Sequence, residues 1–290
     1  MKRDSTARAL RKPRRSRRAR SLAARGATPP LHEFLPQETP QWHRGRKRWE
    51  TTVAGELYWF DQAAAHRPIR FIESYCHPDD PFTLEPWLRA MIRCLFGWKR
   101  DKDGLRRFRE LFLFVPTGNV KSMTLSAILI YILCCLAPRG AEMYNIAADV
   151  EQARPVFQSS VSMVDNCPQL ASRVEIFGRN PNSNRRAILH TNKRAFYQVL
   201  SSTVHAKHGK RIYTVAVDEE HVLPGDGREL VDTLSKMAKK YRESLVLKAS
   251  TAGFNRNHVC YEDFENAQKL RDGTRVNARI LPVLFYADPA

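Results

Sequence analysis

Apolar positions recur along this chain at two periods. Leu57, Phe60, Ala64, Phe71 and Ile72 share one face at helical spacing, which predicts a helix over Trp49 to Tyr75. Pro78-Asp79-Asp80-Pro81 ends it, and Leu84 to Trp98 reads as a second amphipathic helix closing at Gly97-Trp98. A polar turn follows around Asp101 to Gly104. The continuously apolar run Glu110-Leu-Phe-Leu-Phe-Val115 reads as a buried strand, and Met123 to Leu136 as the helix after it.

Downstream, Glu142 to Ala148 reads as a strand. Asp149 to Val164 reads as a helix, with Pro155 tolerated near its first turn. Ala187 to Leu200 alternates like antiparallel strands. Ile212 to Val217 and Leu245 to Ser250 are apolar strands separated by a helix over Arg228 to Tyr241, and residues 258–271 form a last helix. Strands alternating with helices predict an α/β fold on a mostly parallel sheet flanked by helices. Residues 1–45 are basic, then rich in proline and polar side chains (Pro29, Pro30, Pro36, Pro40), and read as a disordered tail and linker. Residues 46–290 are left as one domain.

Charge changes this picture. The net charge of +18 points to a polyanionic partner, most plainly nucleic acid. Eleven lysines and arginines face only Asp4 in the first 26 residues, with Arg14, Arg15, Arg17 and Arg18 the densest group. Three readings of that tail stand: a tether to DNA phosphates, an arginine-rich transit peptide, or upstream sequence translated from an early start. The longest apolar run, Met123 to Leu136, contains Thr124 and Ser126 and is too short to span a bilayer. The six cysteines show no Cys-x-x-Cys spacing, which argues against zinc and, with no secretory signal, for a reducing cytoplasm.

Candidate chemistry sits at two strand ends. Between the strand ending at Val115 and the following helix lies Pro116-Thr117-Gly118-Asn119-Val120-Lys121-Ser122. A Lys-Ser pair opening a helix suits a nucleoside triphosphate: the lysine meets phosphate charge, the serine hydroxyl reaches Mg²⁺, and free amides face the anion. About a hundred residues later, the apolar strand Val215-Ala216-Val217 runs into Asp218-Glu219-Glu220-His221. Asp218 suits the metal side and Glu219 the attacking water. His221 either couples hydrolysis to motion or satisfies a neighbouring carbonyl. At the next strand end, Lys248-Ala249 precedes Ser250-Thr251-Ala252-Gly253, where small hydroxyl residues can sense a γ-phosphate.

These pieces, in this order, resemble the ATPase portion of the large terminase subunit of tailed bacteriophages. Leu84-Glu-Pro86-Trp87 with Leu95-Phe96-Gly97-Trp98 is similar to the family's adenine-side segment. Tyr144-Asn-Ile-Ala147-Ala148 with Gln152-Ala153 and Phe157 is similar to the segment after its second strand. Val204 to Gly209 before the acidic run, then Tyr261 and Asp272-Gly273, complete the likeness. The resemblance implies a P-loop NTPase sheet with Walker-type motifs, in which Gly118, Asn119, Val120, Lys121 and Ser122 bind ATP and Trp87 lies near adenine. Ser122 and Asp218 would hold Mg²⁺, Glu219 would be the catalytic base, and Ser250 to Gly253 the coupling motif. It implies a ring that packages double-stranded DNA in the bacterial cytoplasm with a small terminase subunit and a portal protein, and no membrane.

The chain departs from the family pattern in four places. Val120 stands where glycine is usual, and forcing a β-branched residue into such a backbone costs about 1–3 kcal/mol. Leu88 stands where a glutamine pairs with adenine, and Thr117 where an arginine is frequent. The chain stops at Asp288-Pro289-Ala290, where the family enters its nuclease domain, so an ATPase portion without nuclease carboxylates is expected. The competing expectation is an inactive prophage remnant that binds DNA through its tail. A helicase-like ATPase would also use Asp218-Glu219-Glu220-His221, but motifs of a second lobe are missing.

Overall fold

The structure is a computed structural model that describes residues 28–78, 82–116, 118, 121–148, 154–178, 186–201, 212–225, 229, 232, 233, 236, 238, 241–251 and 256–286. The expectations for the basic tail, for Thr117, Asn119 and Val120, for Ala252 and Gly253, and for most of the helix over 228–241 lie outside these residues.

The amino-terminal part folds around a small antiparallel sheet of β1 (Gln41–His43), β2 (Arg48–Val53), β3 (Glu56–Phe60) and, after two helices, β4 (Trp98–Arg100), in the order β1-β2-β3-β4. This corrects the helix expected from Trp49. Ala54 and Gly55 both take positive φ, 49° and 77°, so the chain reverses in a two-residue turn and Val53 pairs with Glu56. The helical face begins only at α1 (Gln62–Tyr75), where the Asp61 carboxylate accepts from the Ala64 amide at 2.9 Å. A second correction concerns the supposed linker. Leu31, Phe34 and Leu35 are buried, Arg107 clasps Glu38 through two hydrogen bonds of 2.7 and 2.6 Å, and β1 pairs with β2.

The helix α2 (Pro86–Gly97) feeds β4 directly, and then β5 (Glu110–Phe114) enters a second, larger sheet. It continues through α3 (Lys121–Tyr131), β6 (Glu142–Ala147), α4 (Arg154–Asp165), α5 (Pro168–Ala171), β7 (Val174–Phe177), β8 (Ala187–His190), β9 (Ala195–Ser201), β10 (Ile212–Val217), β11 (Leu245–Ser250), α6 (Val259–Arg271) and β12 (Ile280–Leu284). Among the described residues the order is β12-β5-β11-β10-β6-β9-β8-β7; the run from β12 to β9 is parallel, and β8 and β7 add antiparallel. A mostly parallel sheet flanked by helices is the expected fold class.

Every residue of β10 and β11 is buried, which is why both read as unbroken apolar runs: parallel strands are covered on both faces. Helix α3 is buried from Thr124 to Tyr131, packed against α1 and α4. Its last turn widens into a π-turn over Ile132–Leu136, where Lys193 Nζ donates to the Cys134 carbonyl at 2.9 Å. The topology leaves β5, β11 and β10 as neighbours, so whatever follows each of them meets at one edge.

Candidate nucleotide site

Three strand ends build this site. After β5 the Val115 amide donates to the Ser250 carbonyl at the end of β11, at 3.2 Å, and the chain turns through Gly118 at φ 88° into α3. A side chain at Gly118 would be strained in that conformation. After β10 the Asp218 amide donates to the Ile146 carbonyl at 3.1 Å, which fixes the acidic pair to the sheet edge.

Residues almost a hundred positions apart in sequence then touch. Ser122 Oγ donates to Asp218 Oδ2 at 2.9 Å, and Lys121 Nζ lies 2.9 Å from Glu219 Oε1. The lysine contact is an ion pair whose alignment falls short of a hydrogen bond. Glu219 reaches Lys121 from a left-handed backbone, φ 51° and ψ 55°, a conformation that costs a non-glycine residue about 1–2 kcal/mol. Asp218 is 2% exposed, and its Oδ1 has no hydrogen-bond partner among the described residues. Burial pushes its carboxyl up to about 6, against the opposing pull of the Ser122 hydroxyl. A buried carboxylate oxygen without a partner, beside a serine hydroxyl, matches how Mg²⁺ is held: few protein oxygens, the remainder from water and phosphate.

The expected coupling segment joins the same cluster. His221 Nδ1 is 3.1 Å from Ser250 Oγ and 3.3 Å from Glu219 Oε2, and Cys260 Sγ donates to Ser250 Oγ at 3.2 Å. Burial, partly offset by Glu219, holds the His221 imidazole below its ordinary pKa. The contacts therefore run from Lys121 through Glu219, His221 and Ser250 to the first turn of α6. His258 caps that turn, accepting from the Cys260 amide at 3.1 Å, while its Nε2 lies 3.1 Å from the Leu223 carbonyl. Thr251 continues β11 at the same edge.

Trp87 stands apart from the charged cluster but borders the loop. With Val115, Pro116, Leu284, Phe285 and Tyr286 it lines a cavity of about 380 Å³, and its ring meets Phe285 edge to face at 5.0 Å. Leu88, by contrast, is wholly buried in the core, so its position cannot face that cavity.

Sequence reasoning missed Cys260, His258, Phe285 and Tyr286, which arrive through the packing of α6 and β12. It also missed a buried charge group beneath the acidic pair. Lys248 on β11 forms ion pairs with Glu110 at 3.3 Å, Glu220 at 3.7 Å and Asp263. The only signal was a lysine inside an otherwise apolar strand. Burial raises the Glu220 carboxyl well above the usual range although Lys248 opposes it; for Lys248, three carboxylates outweigh the downward pull of burial.

Comparison with known proteins gives the family and the fold. The family described as "Terminase large subunit, ATPase domain" matches residues 86–269, more than half of the chain. No curated protein matches. The structure resembles the crystal structure of the HK97 bacteriophage large terminase at a TM-score of 0.64 and 22% identity, over 78% of this chain and 45% of that one. It also matches the large terminase ATPase domain of Thermus phage P74-26, at a TM-score of 0.41 and 19% identity over 54% and 63% of the two chains. This chain thus spans under half the length of the HK97 protein.

Proposed function

The chain belongs to the terminase large subunit ATPase-domain family, and from that premise we propose that it binds ATP with Mg²⁺ at the edge formed by β5, β10 and β11, hydrolyses it, and couples turnover to movement of double-stranded DNA. The observation that carries the reading is the pair of contacts joining Lys121 to Glu219 and Ser122 to Asp218. In this proposal Gly118, Asn119, Val120, Lys121 and Ser122 cradle the phosphates. Trp87 and Phe285 border the base, and Ser122 and Asp218 hold the metal. Mg²⁺ would supply neutralisation of phosphate charge.

Lys121 and Glu219 hold one another, so a triphosphate that draws the ammonium to its oxygens releases the carboxylate. Freed, Glu219 orients the attacking water and takes its proton. Loss of the γ-phosphate then reaches Ser250 through His221 and passes to α6 along the Cys260 contact, with Ala252 and Gly253 continuing the coupling segment. Duplex DNA, the basic tail as its tether, a small terminase subunit, a portal protein and a homo-oligomeric ring in the host cytoplasm belong to the same proposal. Among the described residues no helix is long and apolar enough to cross a membrane.

The deciding experiment pairs ATP-analogue binding with turnover. Wild type should bind the analogue and hydrolyse ATP faster with duplex DNA present; Glu219→Gln should keep binding and lose about 10²–10⁴ in rate. Val120→Gly should tighten binding if the valine strains the loop. Analogue binding by neither wild type nor Val120→Gly would leave the alternative, a DNA-binding prophage remnant without catalysis.

A further inference from the structure

We propose that the arginine-lined cavity at the opposite, amino-terminal edge of the parallel strands binds a phosphate-class dianion. The residues just before β5, β11 and β12 converge there. Arg106, Arg107 and Arg109 come from the first approach, Tyr241 and Arg242 from the second, and Arg279 from the third. With Arg100 and Tyr58 they line about 230 Å³. Strand β5 separates this place from the loop before Lys121 by five residues, about 17 Å at strand rise. It is therefore distinct from the nucleotide site.

What singles the cavity out is how its charges are paired. Arg107 is neutralised by Glu38, and Arg100 by Asp103 with Nε at 3.0 Å from Oδ1. Two other acids nearby are shared with lysines and offset the arginines only in part. Glu56 also accepts from the Tyr58 hydroxyl and lies 3.9 Å from Arg100, and Glu243 opposes the charge of Arg106 and Arg109. Glu56 takes Lys102 at 2.6 Å, and Glu243 accepts the Arg106 backbone amide at 2.8 Å and stands 4.0 Å from Lys99. Among the described residues Arg106, 6% exposed, donates its guanidinium only to carbonyls: those of Phe108 at 2.9 Å, Glu243 at 2.6 Å and Ser244 at 3.2 Å. Arg109 donates to the carbonyls of Ser244 and Tyr241, both at 2.7 Å, and of Arg242, and to Ser244 Oγ at 2.6 Å. Arg242, mostly exposed, shares Asp103 with Arg100 through an ion pair of 3.6 Å, and Arg279 forms no ion pair among the described residues.

Carbonyl dipoles satisfy hydrogen bonds without cancelling charge. The guanidinium of Arg109 carries the consequence: burial first, then its neighbours Arg106 and Arg279, push its pKa down to about 10. An anion in the cavity would relieve that repulsion. Guanidinium forks meet tetrahedral oxyanions in bidentate fashion, and here the rim guanidiniums of Arg242 and Arg279 offer the donors while the inner arginines, already bonded, supply charge. At about 30 Å³ per water-sized group, the space takes a phosphate and several waters. The buried floor of Arg106 and Arg107 beneath an exposed rim of Arg242 and Arg279 fits a ligand entering from solvent. Phosphate free in solution and phosphate in a nucleic-acid backbone present the same chemistry.

The test compares the full chain with its Arg242→Gln/Arg279→Gln double variant, whose changes are at the exposed rim. The nucleotide loop is intact in both, so its contribution cancels. Titration with inorganic phosphate followed by calorimetry should show binding weakened tenfold or more in the variant, with the phosphate-free Tm unchanged. Equal phosphate binding in the two proteins overturns the proposal, leaving the arginines as ties for the 241–244 segment. A second arm measures duplex DNA affinity against salt. A salt slope smaller by about 1.8, two phosphate contacts at 0.9 each, alongside weakened phosphate binding assigns the cavity to the nucleic-acid backbone. An unchanged slope with weakened phosphate binding assigns it to a free phosphate-bearing ligand. A smaller slope without weaker phosphate binding overturns the cavity, since the rim then acts as open surface.

Discussion

Asp218 keeps its proton to a higher pH than an exposed aspartate because burial penalises its charged form. Its folded-state pKa, about 6, exceeds the ordinary 3.8, so the unfolded chain releases this proton first as pH rises. Folding stability from this group is full below that window and falls through it, by about 3 kcal/mol at the top. Asp218→Asn should therefore be more stable than wild type at pH 7 and lose this decline between pH 4 and 6. Urea denaturation across that range checks it, and parallel profiles for the two proteins would contradict it. The same replacement should abolish any Mg²⁺-dependent gain in stability from nucleotide, because an amide cannot supply the charge the metal needs. Glu219 shows a related tension. A left-handed glutamate is unfavourable, and the strain persists because that backbone aims the carboxylate at Lys121.

At the level of elements, the join between α2 and the small sheet depends on a close approach. A Cβ at Gly97 would lie 2.4 Å from Phe60 Cε2 and 2.8 Å from Ala65 Cβ, so Gly97→Ala should destabilise the protein by about 1–3 kcal/mol. Chemical denaturation would show it, and an unchanged midpoint would mean that Phe60 moves freely aside. The elements legible in advance were those whose chemistry is local. The Asp-Glu pair marks the end of β10, where two adjacent acids follow its apolar run, and the Lys-Ser pair marks the start of α3. The hairpin at Ala54-Gly55 was hidden: alanine is a poor advertisement for positive φ, and Leu57, Phe60 and Ala64 happen to match helical spacing. Strand β12 was hidden by Pro282, which is accommodated because β12 lies at the sheet's edge. The contacts to Cys260 were illegible for a different reason. They depend on how α6 docks, and tertiary packing leaves no periodic mark.

Across the whole molecule, the sheet separates two chemistries: acids and a lysine at its carboxyl edge, arginines at its amino edge. Between them runs β11, whose Lys248 faces the carboxylates of Glu110, Glu220 and Asp263, drawn from β5, the turn after β10, and α6. Three acids around one ammonium exceed its charge by two, and burial favours the protonated form of Glu220, the most buried of them, which offsets one. Glu220→Gln should thus change stability little at pH 7, whereas Lys248→Met should cost about 3 kcal/mol by leaving the buried Glu220 and the part-buried Glu110 and Asp263 without their cation. Equal losses in a denaturant series would contradict that assignment. For divergence among relatives the outcome is a constraint on how sequences drift. Position 248 can turn apolar only in a lineage where the acids at 110, 220 and 263 have already been thinned, so the four sites should change as a block; a relative with an apolar residue at 248 and all three acids retained would break the rule.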